Sequence, residues 1–306
     1  MRILFTGASS FTGMWFVKAL AEAGHTIVAP LRGASYEGLR ADRVNVVSRY
    51  ACIKYSLEYG TPLFNEFLES EPFDLFCHHA ADVTDYKSPT FDPVMALKNN
   101  VGNLPVVLNA LQRRGCSKIL LTGSVFEQGE GAGSEGLRAV SPYGLSKGLT
   151  SDLFKFYCEI NGFALGKFVI PNPFGPFEEF RFTSFLIKNW FEKKKVNVSM
   201  PSYVRDNIHV SLLAKSYAHF ANSLKTGFQK INPSGYPESQ GAFTARFSRE
   251  MQKRLDLPCD YILAIQKEFP EPKVRLNTDL LDSFLLKWNE EDAWDELASF
   301  YISSVR

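Results

Sequence analysis

The stretch Thr6-Gly7-Ala8-Ser9-Ser10-Phe11-Thr12-Gly13 decides the fold. It lies between an apolar run at 3–5, which reads as a buried strand, and an amphipathic segment at 12–23, which reads as a helix closed by Gly24. A strand that turns sharply into a helix exposes backbone N–H groups and aims the positive end of the helix dipole forward. That is the chemistry of a dinucleotide pyrophosphate site, with Gly7 for the turn and Gly13 for close helix–strand contact. Ser10 stands where a middle glycine is expected, so the loop is a variant, and its hydroxyl is a candidate donor to phosphate. An isolated match of this kind can be a plain Gly/Ser turn. The flanking strand and helix favour cofactor binding.

The second strand candidate, 26–31, ends in Val28-Ala29-Pro30-Leu31-Arg32-Gly33. An acid at this place bonds the ribose 2′-hydroxyl of NAD, whereas an arginine accommodates the 2′-phosphate of NADP. No acid is present and Arg32 sits at the tip, so NADP(H) is expected, with NAD as the other nicotinamide form; the plain alternative is a loop cation. Further strand candidates lie at 73–79 and 118–122. Asp92-Pro93, a cap followed by proline, opens a helix expected to reach about residue 114 with a bend near Pro105. Strands alternating with helices imply a parallel sheet covered on both faces.

From residue 171 the texture changes to a Pro-, Phe- and Gly-rich stretch, PNPFGPFEEFRF, with helical character near 279–301 broken around Asn289. The expectation is an α/β chain: a Rossmann-type doubly wound domain at 1–170 and a smaller α+β domain at 171–306. Thirty-four basic residues against thirty-three acidic ones argue against nucleic acid as a partner. The run Lys193-Lys194-Lys195 reads as a solvated helix end. Five cysteines without CxxC spacing read as free thiols in a reducing compartment. No stretch approaches the ~20 apolar residues of a membrane helix, so a soluble, cytoplasmic protein is expected.

Ser141-Pro142 opens a helix in which Tyr143 and Lys147, four residues apart, share a face. A tyrosine is a poor acid or base near neutrality, its reference pKa being about 10. A neighbouring ammonium favours the phenolate and brings the tyrosine toward working pH. YxxxK alone is weak. After a dinucleotide loop and four strand candidates it is strong.

With these motifs in place, the chain resembles the extended short-chain dehydrogenase/reductase superfamily, in its NAD(P)-dependent nucleotide-sugar epimerase/dehydratase/reductase branch. The likeness rests on TGASSFTG (6–13), HHAA (78–81), NNVGN (99–103), LTGSVFE (121–127), YGLSK (143–147), PNPFGP (171–176) and RDNIHV (205–210). It implies Tyr143 as acid/base and Lys147 as its partner, which also bonds the nicotinamide ribose. It implies Gly7, Ser9, Ser10, Phe11, Thr12, Gly13, Arg32, Leu57, Ala80, Ala81, Asn100, Thr122 and Pro171 around the cofactor. Asn172 and Arg205 become contacts to the diphosphate of a nucleotide-sugar substrate. The hydroxyl partner of the tyrosine is Ser124 when counted from the strand and Thr122 when counted back from Val125-Phe126; Ser124 is preferred.

Departures from the family narrow the activity. Its 4,6-dehydratases carry Asp-Glu directly after the hydroxyl residue, whereas here Glu127 is displaced, which argues against dehydration. Arg32 tips the balance to an NADP(H)-dependent reductase of a 4-keto-deoxysugar nucleotide. An epimerase, or a non-catalytic NADP(H)-binding regulator, is the alternative. Adjacent strand residues point to opposite faces, so His78 and His79 do not chelate one metal, and none is expected; their place beside Ala80-Ala81 gives them structural or cofactor-lining roles, and His209 reads as a packing or hydrogen-bonding residue. Relatives pair two long helices per subunit, which implies a homodimer through helices 93–114 and 143–160, with Leu149, Leu153, Phe154 and Tyr157 as apolar surface.

Overall fold

Polar caps followed by proline start three helices, two of them, at Asp92-Pro93 and Ser141-Pro142, where the sequence places them. Thr61-Pro62, Asp92-Pro93 and Ser141-Pro142 each put a side-chain oxygen on the first free backbone N–H groups, and proline costs nothing where no N–H partner exists. The computed structural model describes residues 1–305. In chain order the elements begin β1 (Arg2–Thr6), α1 (Phe11–Glu22), β2 (Thr26–Pro30), α2 (Gly38–Val47) and β3 (Ala51–Lys54). Next come α3 (Pro62–Ser70), β4 (Leu75–His78), α4 (Pro93–Asn100), α5 (Leu104–Arg113) and β5 (Lys118–Ser124). Then follow β6 (Ala132–Gly133), α6 (Pro142–Ile160), β7 (Ala164–Ile170), β8 (Asn172–Phe174), α7 (Phe182–Phe191) and β9 (Val196–Val198). The remainder is β10 (Val204–His209), α8 (Val210–Ser223), β11 (Phe228–Ile231), β12 (Pro233–Ser234) and β13 (Tyr236–Ser239). It closes with α9 (Gln240–Leu255), β14 (Tyr261–Leu263), β15 (Val274–Leu276), β16 (Asp279–Leu280) and α10 (Glu290–Val305).

The first compact unit comprises Met1–Glu130, Arg138–Ile170 and Ala214–Asn232. Its sheet runs β3-β2-β1-β4-β5-β7-β11, with every pairing parallel. This is the expected Rossmann-type doubly wound sheet. Strand order reverses on either side of β1, and ligands of such sheets bind beyond the C-terminal strand ends at that switch point. The loop 7–13 and the segment after β4 both lie there. One face buries Phe64 and Leu68 of α3, Val107 and Leu111 of α5, and Phe154 of α6 against Leu4, Phe76, Ile119 and Leu121. On the other, the rings of Phe16 in α1 and Tyr217 stack at 4.0 Å, edge-on to Phe168 of β7. Each such large apolar side chain contributes ~1.5–3 kcal/mol of burial.

The second unit comprises Gly131–Leu137, Pro171–Leu213 and Pro233–Arg306. Its central strand β10 pairs antiparallel with β13 and parallel with β8 and β15. An aromatic core of Phe174, Trp190, Phe243, Phe247 and Trp294 holds α7, α9 and α10 to that unit. A single cut after residue 170 does not describe the division, because residues 228–231 pair with β7 and complete the parallel sheet, while 132–133 pair with β15.

Two expected helices differ. The helix expected at 93–114 is two helices, because Asn103 takes a left-handed conformation (φ 52°) and the next helix begins at Leu104 with Pro105 in its first turn. The segment 279–301 is not helical throughout: 279–280 is a strand paired with β12. The helix begins at Glu290, where Asn289 Oδ1 accepts from Glu291 N at 2.9 Å. All five cysteines are free, four of them buried. Among the described residues no helix is long and apolar enough to cross a membrane.

Candidate active site

The dinucleotide loop is built so tightly that glycine is required twice. A Cβ on Gly7, whose φ is +81°, would lie 2.7 Å from Ala80 N, and one on Gly13 would lie 2.2 Å from Gly7 O. These two glycines bring the loop, the first turn of α1 and the end of β4 into direct contact, leaving a cradle in front of the α1 N-terminus. The geometry fits a pyrophosphate of a nicotinamide dinucleotide. Ser10 Oγ donates to Gly7 O at 2.8 Å and accepts from Gly13 N at 3.1 Å. Ser10 thus caps α1 from within the loop. Phe11 is buried, and Ser9 and Thr12 are half-buried.

Around this cradle the other expected cofactor residues divide. Ala80 and Ala81 follow β4, half-buried, with Ala80 N donating to Thr6 Oγ1. Arg32 projects with its side chain 74% exposed and Glu58 Oε1 at 4.0 Å. Leu57 sits in the apolar core, with its N–H on Leu31 O at 2.9 Å, so only its backbone reaches the end of the second strand. Asn100 is buried and braces the loop after β4: Oδ1 accepts from Asp82 N at 2.7 Å and Nδ2 donates to Thr150 Oγ1.

Lys147 is buried, and its Nζ donates to Thr122 O at 2.7 Å. Burial lowers its pKa to about 8, Glu127 opposing and Lys167 assisting that change. Tyr143, one turn earlier, lies against Tyr86 at 5.3 Å and Phe91 at 6.1 Å between ring centroids. Phe91 also lines a cavity of about 270 Å³ with Asp82, Thr84, Asp85 and Met95. The two candidate hydroxyls share one face of β5. Thr122 Oγ1 is 3.0 Å from His79 Nδ1, whereas Ser124 Oγ accepts from Phe126 N at 3.2 Å. Ser124 stands two residues nearer the C-terminal strand end.

His79, expected beside Ala80-Ala81 in a structural or cofactor-lining role, makes structural contacts. Its Nε2 is 3.1 Å from both Ser10 Oγ and Thr12 Oγ1, tying the phosphate loop to Thr122. His78 faces the other side, against Thr6 Oγ1 and Asn100 O. Burial holds both imidazoles neutral, each pKa lowered to about 3. Their separate faces follow from strand alternation, and no described group of three or more side chains is arranged to hold a metal. His209 bonds Ser211 Oγ at 2.7 Å.

In the second unit, Pro171 is buried and Asn172 lies on β8, whose partner β10 carries Arg205. Arg205 is not presented as an open fork. Its Nη1 donates to the carbonyls of Val204, Pro272 and Lys273, and its Nη2 pairs with Glu271 at 3.0 Å. A diphosphate contact by Arg205 requires the half-exposed Glu271 to give way.

The residues expected to dimerise also sort differently. Phe154 is fully buried, and Leu153 and Tyr157 pack against the core, while Leu145, Leu149, Phe156 and Ile160 of α6 are exposed with Val94 and Met95 of α4.

Comparison with known proteins agrees with this architecture. UDP-glucose 4-epimerase of Thermotoga maritima superposes with a TM-score of 0.75 at 17% identity, covering 100% of both chains. UDP-glucuronic acid 4-epimerase of Bacillus cereus gives 0.73 at 19%, again over 100% of both. UDP-N-acetylglucosamine 4-epimerase of Methanobrevibacter ruminantium gives 0.76 at 17%, covering 99% of this chain and 98% of that one. Among curated proteins no sequence match was found. Residues 3–232, which hold the glycine loop, the Tyr143/Lys147 helix and Arg205, match the NAD dependent epimerase/dehydratase family. The chain therefore belongs to the NAD dependent epimerase/dehydratase family, within the extended short-chain dehydrogenase/reductase superfamily.

Proposed function

We propose that the chain is a nucleotide-sugar epimerase that inverts one sugar carbon by oxidation followed by re-reduction. The observation that carries this is the buried Lys147, anchored to the Thr122 carbonyl one helical turn after Tyr143, at the strand ends where the glycine cradle lies. A bound nicotinamide supplies hydride exchange. Tyr143 takes the proton of the sugar hydroxyl and returns it, Lys147 holds the opposite charge beside it, and Ser124 orients the substrate oxygen, with Thr122 as the alternative. Cofactor contacts are assigned to Gly7, Ser9, Ser10, Phe11, Thr12 and Gly13 through the loop and to Ala80 and Ala81 beside it. Asn172 and Arg205 are assigned to the diphosphate. The solved structures of like fold are named as UDP-sugar 4-epimerases, which favours epimerisation over the reductase expected from sequence.

A second reading, reduction of a 4-keto sugar nucleotide by NADPH, is favoured by the exposed Arg32 with no acid at the end of the second strand. One experiment separates them. UDP-hexoses are incubated with catalytic NAD⁺ or NADP⁺, and a 4-keto sugar nucleotide with stoichiometric NADH or NADPH. Interconversion of 4-epimers without net change in nicotinamide absorbance is the expected result. Stoichiometric NADPH loss makes the chain a reductase, and retained cofactor affinity without conversion of any sugar nucleotide makes it a binding protein. A higher affinity for NADH than for NADPH would remove Arg32 from the cofactor site.

Assembly through the exposed stripe on α4 and α6 is proposed to give a homodimer. Light scattering is expected to return twice the chain mass, and Phe156→Glu to return the monomer.

A further inference from the structure

Lys167 is a lysine in the middle of a buried parallel strand, where an apolar side chain is the rule. Its Nζ lies 2.6 Å from Glu127 Oε2 and 2.8 Å from Glu130 Oε1. Glu130 is further held by Lys230 Nζ and Asn232 Nδ2, both at 3.0 Å. Glu127 has no exposed surface, and its Oε1 accepts from Ser124 N at 2.7 Å. Gly123 leaves room for the pair: a Cβ there would meet Lys167 Cε at 2.8 Å and Glu127 Oε1 at 3.0 Å. The ions thus pack directly against the end of β5. Apolar side chains of similar volume commonly replace a buried ion pair with no loss of stability, so stability alone does not account for this one.

We propose that Glu127, held by Lys167, is a positioning residue for the Tyr143/Lys147 pair: it fixes the end of β5 that carries both Ser124 and the Thr122 carbonyl on which Lys147 is anchored. The inference rests on the roles given above to Tyr143, Lys147 and Ser124. Lys147 Nζ sits on Thr122 O, two residues before the Ser124 whose N–H Glu127 holds, and several titratable groups act on it. Tyr143 lies on its own helix, the neutral His78 and His79 come from the β4 side, Glu127 from the turn after β5, and Lys167 from β7. Within that set Glu127 is the carboxylate. Glu130, by contrast, lines a cavity of about 190 Å³ with Gln128, Ser151, Lys155 and Lys230, which opens the outer end of the network. Burial lowers Lys147 to about 8 even with Glu127 opposing it, so loss of that anion frees the ammonium to deprotonate within the working range.

Glu127→Gln keeps the shape and an acceptor for Ser124 N–H while removing the charge. The readout is the titration of Lys147 by NMR of protein with ¹³C-labelled lysine, its resonance identified by loss in Lys147→Met. The Lys147 midpoint is expected to fall by about one pH unit or more. The alkaline limb of the kcat profile is expected to fall with it while KM changes little, and Glu130→Gln, which breaks the same network further out, is expected to leave the midpoint in place. Should Glu127→Gln not fold, Glu127→Asp, which withdraws the carboxylate by one carbon, is expected to show a smaller change of the same sign. An unchanged midpoint in the folded variant, or an equal change in Glu130→Gln, overturns the proposal. The titration needs no substrate. A lowered midpoint in a protein that converts no nucleotide sugar therefore refutes the proposed function and leaves the role of Glu127 standing.

Discussion

Tyr143→Phe is expected to lower turnover of a nucleotide sugar by about 10²–10⁴-fold, the range of lost acid–base catalysis, and to leave cofactor affinity within about threefold. The ring stays where it is, because phenylalanine keeps the ring that packs with Tyr86 and Phe91. Lys147 also stays, because its Nζ is anchored on the Thr122 carbonyl and not on the tyrosine alone. The substitution therefore removes one group, the hydroxyl that exchanges a proton with the substrate oxygen. Steady-state rates measured beside a cofactor titration separate the two effects. Wild-type turnover in Tyr143→Phe would remove this residue from the mechanism. A parallel loss of cofactor affinity would make its role structural.

Gly13→Ala should act on the other half of the site and with comparable force. The added methyl would sit 2.2 Å from Gly7 O and 2.7 Å from Ser10 Oγ. The first contact is with backbone, and the second is with the side chain that caps α1, so neither neighbour can swing away without opening the loop. Affinity for a nicotinamide dinucleotide is expected to fall by about 100-fold, or ~2.7 kcal/mol. Gly136→Ala serves as the control, since a methyl there meets nothing within 4 Å. Fluorescence titration with NADPH and NADH, accompanied by thermal melts, reads the result. Affinity within a few-fold of wild type in a folded Gly13→Ala would show that the cradle does not hold the cofactor.

Local chemistry made much of this chain legible from its sequence. The glycine loop, the alternation of strands and helices, the cap–proline helix starts and the four-residue spacing of Tyr143 and Lys147 each depend on a few neighbouring residues. Backbone sterics, capping and helical period act within one or two turns, so the sequence by itself determined the parallel sheet, the site of the cradle and the face shared by Tyr143 and Lys147. The tertiary structure decided what depends on partners far along the chain. It turned the Ser10 hydroxyl inward, drew Arg205 onto carbonyls near residue 272, and returned residues 228–231 to the first sheet. It also set Lys167 between Glu127 and Glu130, across some forty residues of chain. The signal for that last contact was present, a lone lysine in the apolar strand ALGKFVI, but its partner was not. A buried charge is compensated by whichever opposite charge the folded backbone brings within ~4 Å, and that is a property of packing rather than of spacing along the chain.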